Sequence, residues 1–271
     1  MKEGLIIAEK KYEYIIYKFE DGIGTITLNR PNQLNALQYP LIMEIVDILE
    51  KNMKNKALRV LAIEGKGSSF CSGDNLKGMG EAGSRFKSLE DGSEIPHQRM
   101  LYLIREIQKP VVALLHGYCL GAGFELALAC DIRLTADDLK IGDHRVSRAI
   151  GVLCGASWFL PRIVGFGRAS EIIMTGKHLD AKEALDIGLV AEVYPASEFK
   201  VKSREYLKKL AELPTMCIGY DKAMLNFSQF NEMMPSLHHE FKLYCKNMRT
   251  KDFGEGMKSF LKKREPKFIG R

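Results

Sequence analysis

The stretch from Lys109 to Arg133, KPVVALLHGYCLGAGFELALACDIR, constrains the chain more than any other. Val111 to Leu115 is an unbroken apolar run and reads as a strand buried on both faces. Gly121-Ala122-Gly123 is a turn with almost no side-chain bulk, so a ligand can approach its backbone closely. Phe124 to Cys130 then reads as a helix that is apolar nearly all round, which marks it as interior. One carboxylate, Glu125, sits in its first turn. A charge in so apolar a setting costs free energy unless something satisfies or uses it. Glu125 is therefore the first candidate for chemistry.

The rest of the chain alternates short strands and helices. Residues 12–19 and 23–28 are β-rich runs separated by Asp21-Gly22, a hairpin signal. A helix is expected from Asn35, with Leu37, Leu41, Ile45, Ile48 and Leu49 on one face. Residues 58–63 form the next strand and lead to the turn Phe70-Cys71-Ser72-Gly73-Asp74-Asn75-Leu76-Lys77. Residues 78–96, rich in glycine and serine, read as a lid or a surface loop. A helix follows around 97–107, with His97 at its start as a further site candidate. Strands are expected at 132–135 and 189–193, and a helix at 181–187 with Gly188 as its C-cap. Beyond Pro195 the strand signal disappears and four helices are expected, near 198–212, 215–227, 232–248 and 252–263. This is an α/β chain with a boundary near residue 196.

Composition narrows the function. No apolar run approaches the ~20 residues of a membrane helix, and the N-terminus lacks the apolar core of a secretion signal. The six cysteines form no C-x-x-C pair, so they read as reduced thiols in a cytoplasmic protein. They share no metal-ligand spacing with the six histidines, and no structural metal is expected. The net charge of +6 is concentrated in residues 197–271, with 16 Lys and Arg against 9 Asp and Glu. The basic excess reads as a solvated helical face or as help in binding a phosphate-bearing ligand. Nucleic acid is not expected, because the tail lacks a dense basic run with interleaved aromatics. Gly65-Lys66-Gly67 and Gly165-Phe166-Gly167 continue into neither a dinucleotide nor a P-loop fingerprint.

Several motifs then fall in a familiar order. They are Leu28-Asn29-Arg30-Pro31 with Asn35-Ala36-Leu37, Phe70-Cys71-Ser72-Gly73 with Leu76-Lys77, and Lys109-Pro110-Val111 through Gly117, Gly121 and Glu125 to Cys130-Asp131-Ile132. Leu160-Pro161-Arg162 with Gly165, Thr175-Gly176, Ala181 to Val190, and Glu255-Gly256-Met257 with Phe260 and Lys263-Arg264 follow. In these the chain resembles the crotonase superfamily, the enoyl-CoA hydratase/isomerase family, from about residue 12 to its end. The resemblance implies a spiral of strand–strand–helix (ββα) turns over residues 1–196 and a helical trimerisation region over 197–271. It implies an acyl-CoA substrate, no further cofactor, and a homotrimer or dimer of trimers.

It also implies site roles. The backbone N–H groups of Asp74 and Ala122 would form an oxyanion hole for a thioester enolate. Gln33 and Leu34 would lie along the pantetheine, Ser72, Asn75 and Leu76 near the adenine, and Lys77 near the phosphates. Tyr244 and Lys263 of a neighbouring subunit would close over the nucleotide. Glu125 matches the first of the two glutamates with which family hydratases activate water. Ungapped alignment puts Arg145, in Ile141-Gly142-Asp143-His144-Arg145, at the second. An arginine is always cationic and cannot act as a carboxylate base. Three readings stay open. Glu125 works alone or with Asp143 or His144, in hydration of an atypical enoyl-CoA or another enolate reaction. Arg145 binds a carboxylate on the acyl group, pointing to decarboxylation, with isomerase and thioesterase chemistry on the same scaffold as further options. Or the protein binds acyl-CoA without turnover.

Overall fold

The computed structural model describes residues 12–75 and 95–271. Most of the glycine-rich loop, with Leu76 and Lys77, lies outside the described residues. The main sheet has six strands in the order β1 (Ile15–Glu20), β2 (Ile23–Leu28), β3 (Val60–Gly65), β4 (Val111–Leu115), β6 (Ile132–Ala136) and β9 (Glu192–Tyr194). A small second sheet joins β5 (Tyr118–Leu120), β7 (Lys140–Gly142) and β8 (His178–Asp180). The β1–β2 hairpin is antiparallel, and every later neighbour in the main sheet is parallel. Its turn, Asp21-Gly22, takes φ of 53° and 77°, positive at both central residues as a two-residue hairpin demands.

Parallel neighbours require crossovers, and helices supply them. Among the described residues α1 (Tyr39–Asn52) lies between β2 and β3, α2 (Pro96–Glu106) between β3 and β4, and α3 (Ala122–Ala129) between β5 and β6. Beyond β7 come α4 (Ala156–Val164), α5 (Phe166–Thr175) and α6 (Ala181–Asp186). The chain ends in α7 (Ala196–Glu212), α8 (Thr215–Ser228), α9 (Met233–Asn247) and α10 (Lys251–Leu261).

The alternation of side chains along β3 and β4 builds two cores. Leu61, Ile63, Val111, Ala113 and Leu115 face α1, α2 and α3 in the larger one. Val60, Ala62, Val112 and Leu114 face the other way, against Leu207 and Ala211 of α7. All five residues of β4 are buried, as the unbroken apolar run requires. All eight residues of α3 are buried too, including Glu125. Beyond residue 196, α7 covers a sheet face. Lys222 of α8 reaches inward to the carbonyls of Ile104 (2.7 Å) and Lys109 (3.2 Å) and to Asp131 (2.7 Å).

Local differences from the sequence reading have physical causes. The first helix begins at Tyr39, not Asn35. Asn35 is fully buried with φ of 55°. Its side chain accepts from the Arg30 N–H and donates to the carbonyls of Lys66 and Ser69, bracing two loops. Pro40 then opens the helix at a position where its missing N–H costs nothing. The strands β5 and β8 and the helix α4 were not anticipated. The two strands have three residues each, too few for a periodic signal. The six cysteines are all free, as expected, and Cys71, Cys119, Cys130 and Cys154 are buried.

Candidate active site

Two turns meet at the N-terminus of α3. Leu37 N–H donates to Gly73 O (2.7 Å) and Asn75 N–H to Leu37 O (2.8 Å), which fixes the first turn. A Cβ on Gly73 would stand 3.6 Å from Ala122 N, so the second turn lies directly against it. Gly121 has φ of 54° and ψ of −122°, a conformation closed to side-chain-bearing residues. That kink starts the helix and leaves the Ala122 N–H without a helical partner. Among the described residues, neither the Asp74 nor the Ala122 N–H has a hydrogen-bond acceptor.

Glu125 lies one turn into α3 with no exposed surface. Its Oε1 accepts from the N–H groups of Cys154 (2.9 Å) and Ala156 (3.2 Å), the latter opening α4. Its Oε2 lies 3.0 Å from Arg145 Nη2, a close charge contact without hydrogen-bond alignment. Arg145 turns most of its donors to Asp143. Nε donates to Oδ1 (2.9 Å) and Oδ2 (3.1 Å), Nη2 to Oδ2, and the Arg145 backbone N–H to Oδ1 (3.2 Å). Burial works against the guanidinium charge, but its bonds to the Asp143 carboxylate and the nearby Glu125 charge outweigh it and raise its pKa. The structure thus joins Glu125, Arg145 and Asp143 in one buried carboxylate–guanidinium–carboxylate cluster. That pairing was not foreseen, because twenty positions of sequence separate Glu125 from Arg145.

A cleft of about 290 Å3 adjoins this cluster at Arg145, the one member that lines it, with Ser72, Asp74, Gly121 and His144 among its other walls. His144 stands edge-on to His178, ring centroids 5.2 Å apart. Burial first, then Arg148 and His178, lower its pKa, so it is neutral near pH 7. Asp143 is buried behind Arg145 and does not line the cleft. His97 at the start of α2 meets Asp74, Nε2 to Oδ1 2.9 Å. Cys71 beneath the turn is fully buried, which pushes its thiol up to about 12 and rules it out as a neutral-pH nucleophile.

The expected CoA-binding residues divide by location. Ser72 lines the cleft and its N–H donates to Leu34 O (2.9 Å), which brings Gln33 and Leu34 to the same rim. Asn75 follows on that turn. Tyr244 lies instead in a groove of α8 and α9, beside Leu225 and Phe241. Neither it nor Lys263 lines the cleft of its own chain. An apolar cavity of about 390 Å3 adjoins the cleft through Leu153 and is walled by Leu101, Tyr102, Trp158, Phe159 and Phe230.

Comparison with known proteins agrees with this architecture. The family model described as Enoyl-CoA hydratase/isomerase matches residues 18–271. A crotonyl-CoA hydratase from Syntrophomonas wolfei is 31% identical over 261 residues, covering 96% of this chain and 99% of that protein. A 1,2-epoxyphenylacetyl-CoA isomerase from Escherichia coli K12 is 28% identical over 262 residues, covering 96% and 99%. The crystal structure of an enoyl-CoA hydratase from Bacillus anthracis superposes with a TM-score of 0.89 at 30% identity, covering 96% of this chain and all of that one. With a match over nearly its whole length and the same α/β architecture, the chain belongs to the enoyl-CoA hydratase/isomerase family of the crotonase superfamily.

Proposed function

We propose that this acyl-CoA enzyme is a hydratase-class lyase that adds water to an atypical enoyl-CoA through a thioester enolate. One observation carries the reading: among the described residues the backbone N–H groups of Asp74 and Ala122 have no acceptor, and Ala122 opens the helix whose first turn carries the buried carboxylate of Glu125. The thioester oxygen gains negative charge as water attacks the β-carbon, and paired N–H donors stabilise it. Glu125 is the acid–base group. Arg145 and Asp143 act through Glu125, since the guanidinium holds its second oxygen and Asp143 holds the guanidinium. His144 faces the cleft as a neutral side chain that contacts the acyl group. Arg145 is a poor receptor for a substrate carboxylate, because two protein carboxylates already share it.

For the CoA moiety the reading takes Gln33, Leu34, Ser72 and Asn75 from one chain, with Leu76 and Lys77 next in sequence. Tyr244 and Lys263 come from a neighbour in a homotrimer or dimer of trimers. Exposed Phe230, Met233, Leu237, Phe241 and Phe260 on α9, α10 and the preceding loop support such an assembly. The cleft chemistry calls for no cofactor besides the CoA thioester. Free, buried cysteines suit the cytoplasm.

The test is a panel of acyl-CoAs followed by mass, on wild type and on Glu125→Gln. Gain of one water on a substituted enoyl-CoA, lost in the variant, is the expected result. Loss of carbon dioxide or of CoA would replace hydration by decarboxylation or hydrolysis. Binding without turnover across the panel would make the protein an acyl-CoA carrier.

A further inference from the structure

Among the described residues one carboxylate lines the cleft itself. Asp74 supplies it, and Arg145 lines the cleft as well. Its Oδ1 is 2.9 Å from His97 Nε2, and both side chains are only 13% exposed. Among the described residues nothing else bonds the Asp74 carboxylate, and the other ring nitrogen, His97 Nδ1, is buried without a partner. Asp74 and Glu125 also share a neighbour. The Cys154 thiol is pushed up first by burial, then by the charges of Glu125 and Asp74.

The alternatives are occupied or unsupported. Asp143 spends both oxygens on Arg145. His144 has no carboxylate hydrogen-bonded to either ring nitrogen among the described residues and leans on His178. Among the described residues only Asp74 combines a place on the cleft wall, an oxygen without a hydrogen-bond partner and a histidine at hydrogen-bond distance. Its position also poses an electrostatic problem. The same residue offers its N–H to a developing oxyanion and carries a carboxylate beside it. The His97 ring, 2.9 Å from that carboxylate, is the group placed to relieve the conflict.

We propose that Asp74, with His97 as its proton partner, is the second acid–base group of this site. The proposal rests on the enolate reading above. As the water oxygen bonds to Cβ, one water proton passes to Glu125. The C=C π pair moves toward Cα and the thioester oxygen, where the Asp74 and Ala122 N–H groups receive it. The carbonyl then re-forms while Cα takes, through Asp74, the one proton that the Asp74–His97 pair shares. Glu125 afterwards releases a proton to solvent and the pair regains one, so one water is consumed and no net proton. Asp74 touches the reacting atoms, and His97 is a positioning residue.

Two separable readouts test this. One is hydration of an enoyl-CoA that wild type accepts. The other is exchange of the α-proton of its saturated analogue in D2O, which needs only the group serving Cα. Asp74→Asn keeps the backbone N–H and is expected to lose about a hundred- to ten-thousandfold in both rates, with analogue binding by calorimetry within a few-fold. Glu125→Gln is expected to lose hydration and keep exchange. His97→Gln is expected to lower kcat at unchanged KM, and it preserves the test if Asp74→Asn fails to fold. Exchange that survives in Asp74→Asn, or vanishes in Glu125→Gln alone, overturns the assignment. If wild type binds the analogue but neither hydrates nor exchanges anything, the enolate reading falls and takes this proposal with it.

Discussion

Arg145→Met separates a structural charge from a substrate-binding one. Methionine keeps the apolar stem and deletes the guanidinium. Glu125 is 0% and Asp143 2% exposed, so the variant leaves two buried carboxylates without their shared cation. Breaking a buried pair in this way costs about 3–5 kcal/mol. At about 2–4 °C per kcal/mol for domains approaching this size, Tm falls by roughly 6–20 °C. The cause is checked by neutralising the partners. Arg145→Met combined with Asp143→Asn and Glu125→Gln is expected to regain at least half of the loss, because no unpaired charge remains. Thermal melts by circular dichroism, with urea titrations at one temperature, supply both numbers. A single variant that melts within about 2 °C of wild type, or a triple variant that recovers nothing, would refute the clamp.

Three further outcomes follow from the same structure. Trp158 is the chain's single tryptophan, stacks on Phe230 and walls the apolar cavity. Long saturated acyl-CoAs should shift its emission and tighten about three- to fourfold per added methylene, while free CoA leaves the emission unchanged; a response independent of chain length would place the acyl group elsewhere. His144 has a folded pKa below its ordinary 6.5, through burial, Arg148 and His178. Its share of stability is therefore complete above that pH and declines as pH falls below it, so His144→Gln should show a shallower drop in Tm between about pH 7.5 and 5.5; an unchanged slope contradicts this. Truncation after Ala196 uncovers Val60, Ala62, Val112 and Leu114, and the product should bind hydrophobic dyes and melt without cooperativity; a sharp, native-like transition would mean that residues 12–196 fold alone.

The sequence made the elements legible where the signal was local. The buried strand 111–115, the small-residue turn and the interior helix bearing Glu125 emerged at their expected places, because an apolar run and a glycine turn constrain the backbone by themselves. The motif order pointed to the family for the same reason. The site was legible as a set of residues but not as a set of pairs. Arg145 registered as a missing glutamate, yet nothing local says that it returns to the first glutamate. His97 and Asp74 stand 23 positions apart across the glycine-rich loop, and their contact depends on how α2 meets the turn at Gly73. Asn35 misled in a related way. Its spacing suits a helix start, but its side chain serves the loop at residues 66–69, a partnership that only tertiary packing creates.

The hydrogen bonds from Cys154 and Ala156 tie the Glu125 carboxylate to the segment that walls the cleft. Residues 150–153 line that cleft, and the chain enters α4 immediately beyond them. The carboxylate is thus also a latch on that wall. Glutamine at 125 still offers an oxygen to both N–H groups, whereas alanine offers none. A Glu125→Ala variant would therefore release the segment and reshape the acyl site together with the chemistry. The amide variant keeps that wall in place, although it also turns an NH2 group toward the Arg145 guanidinium.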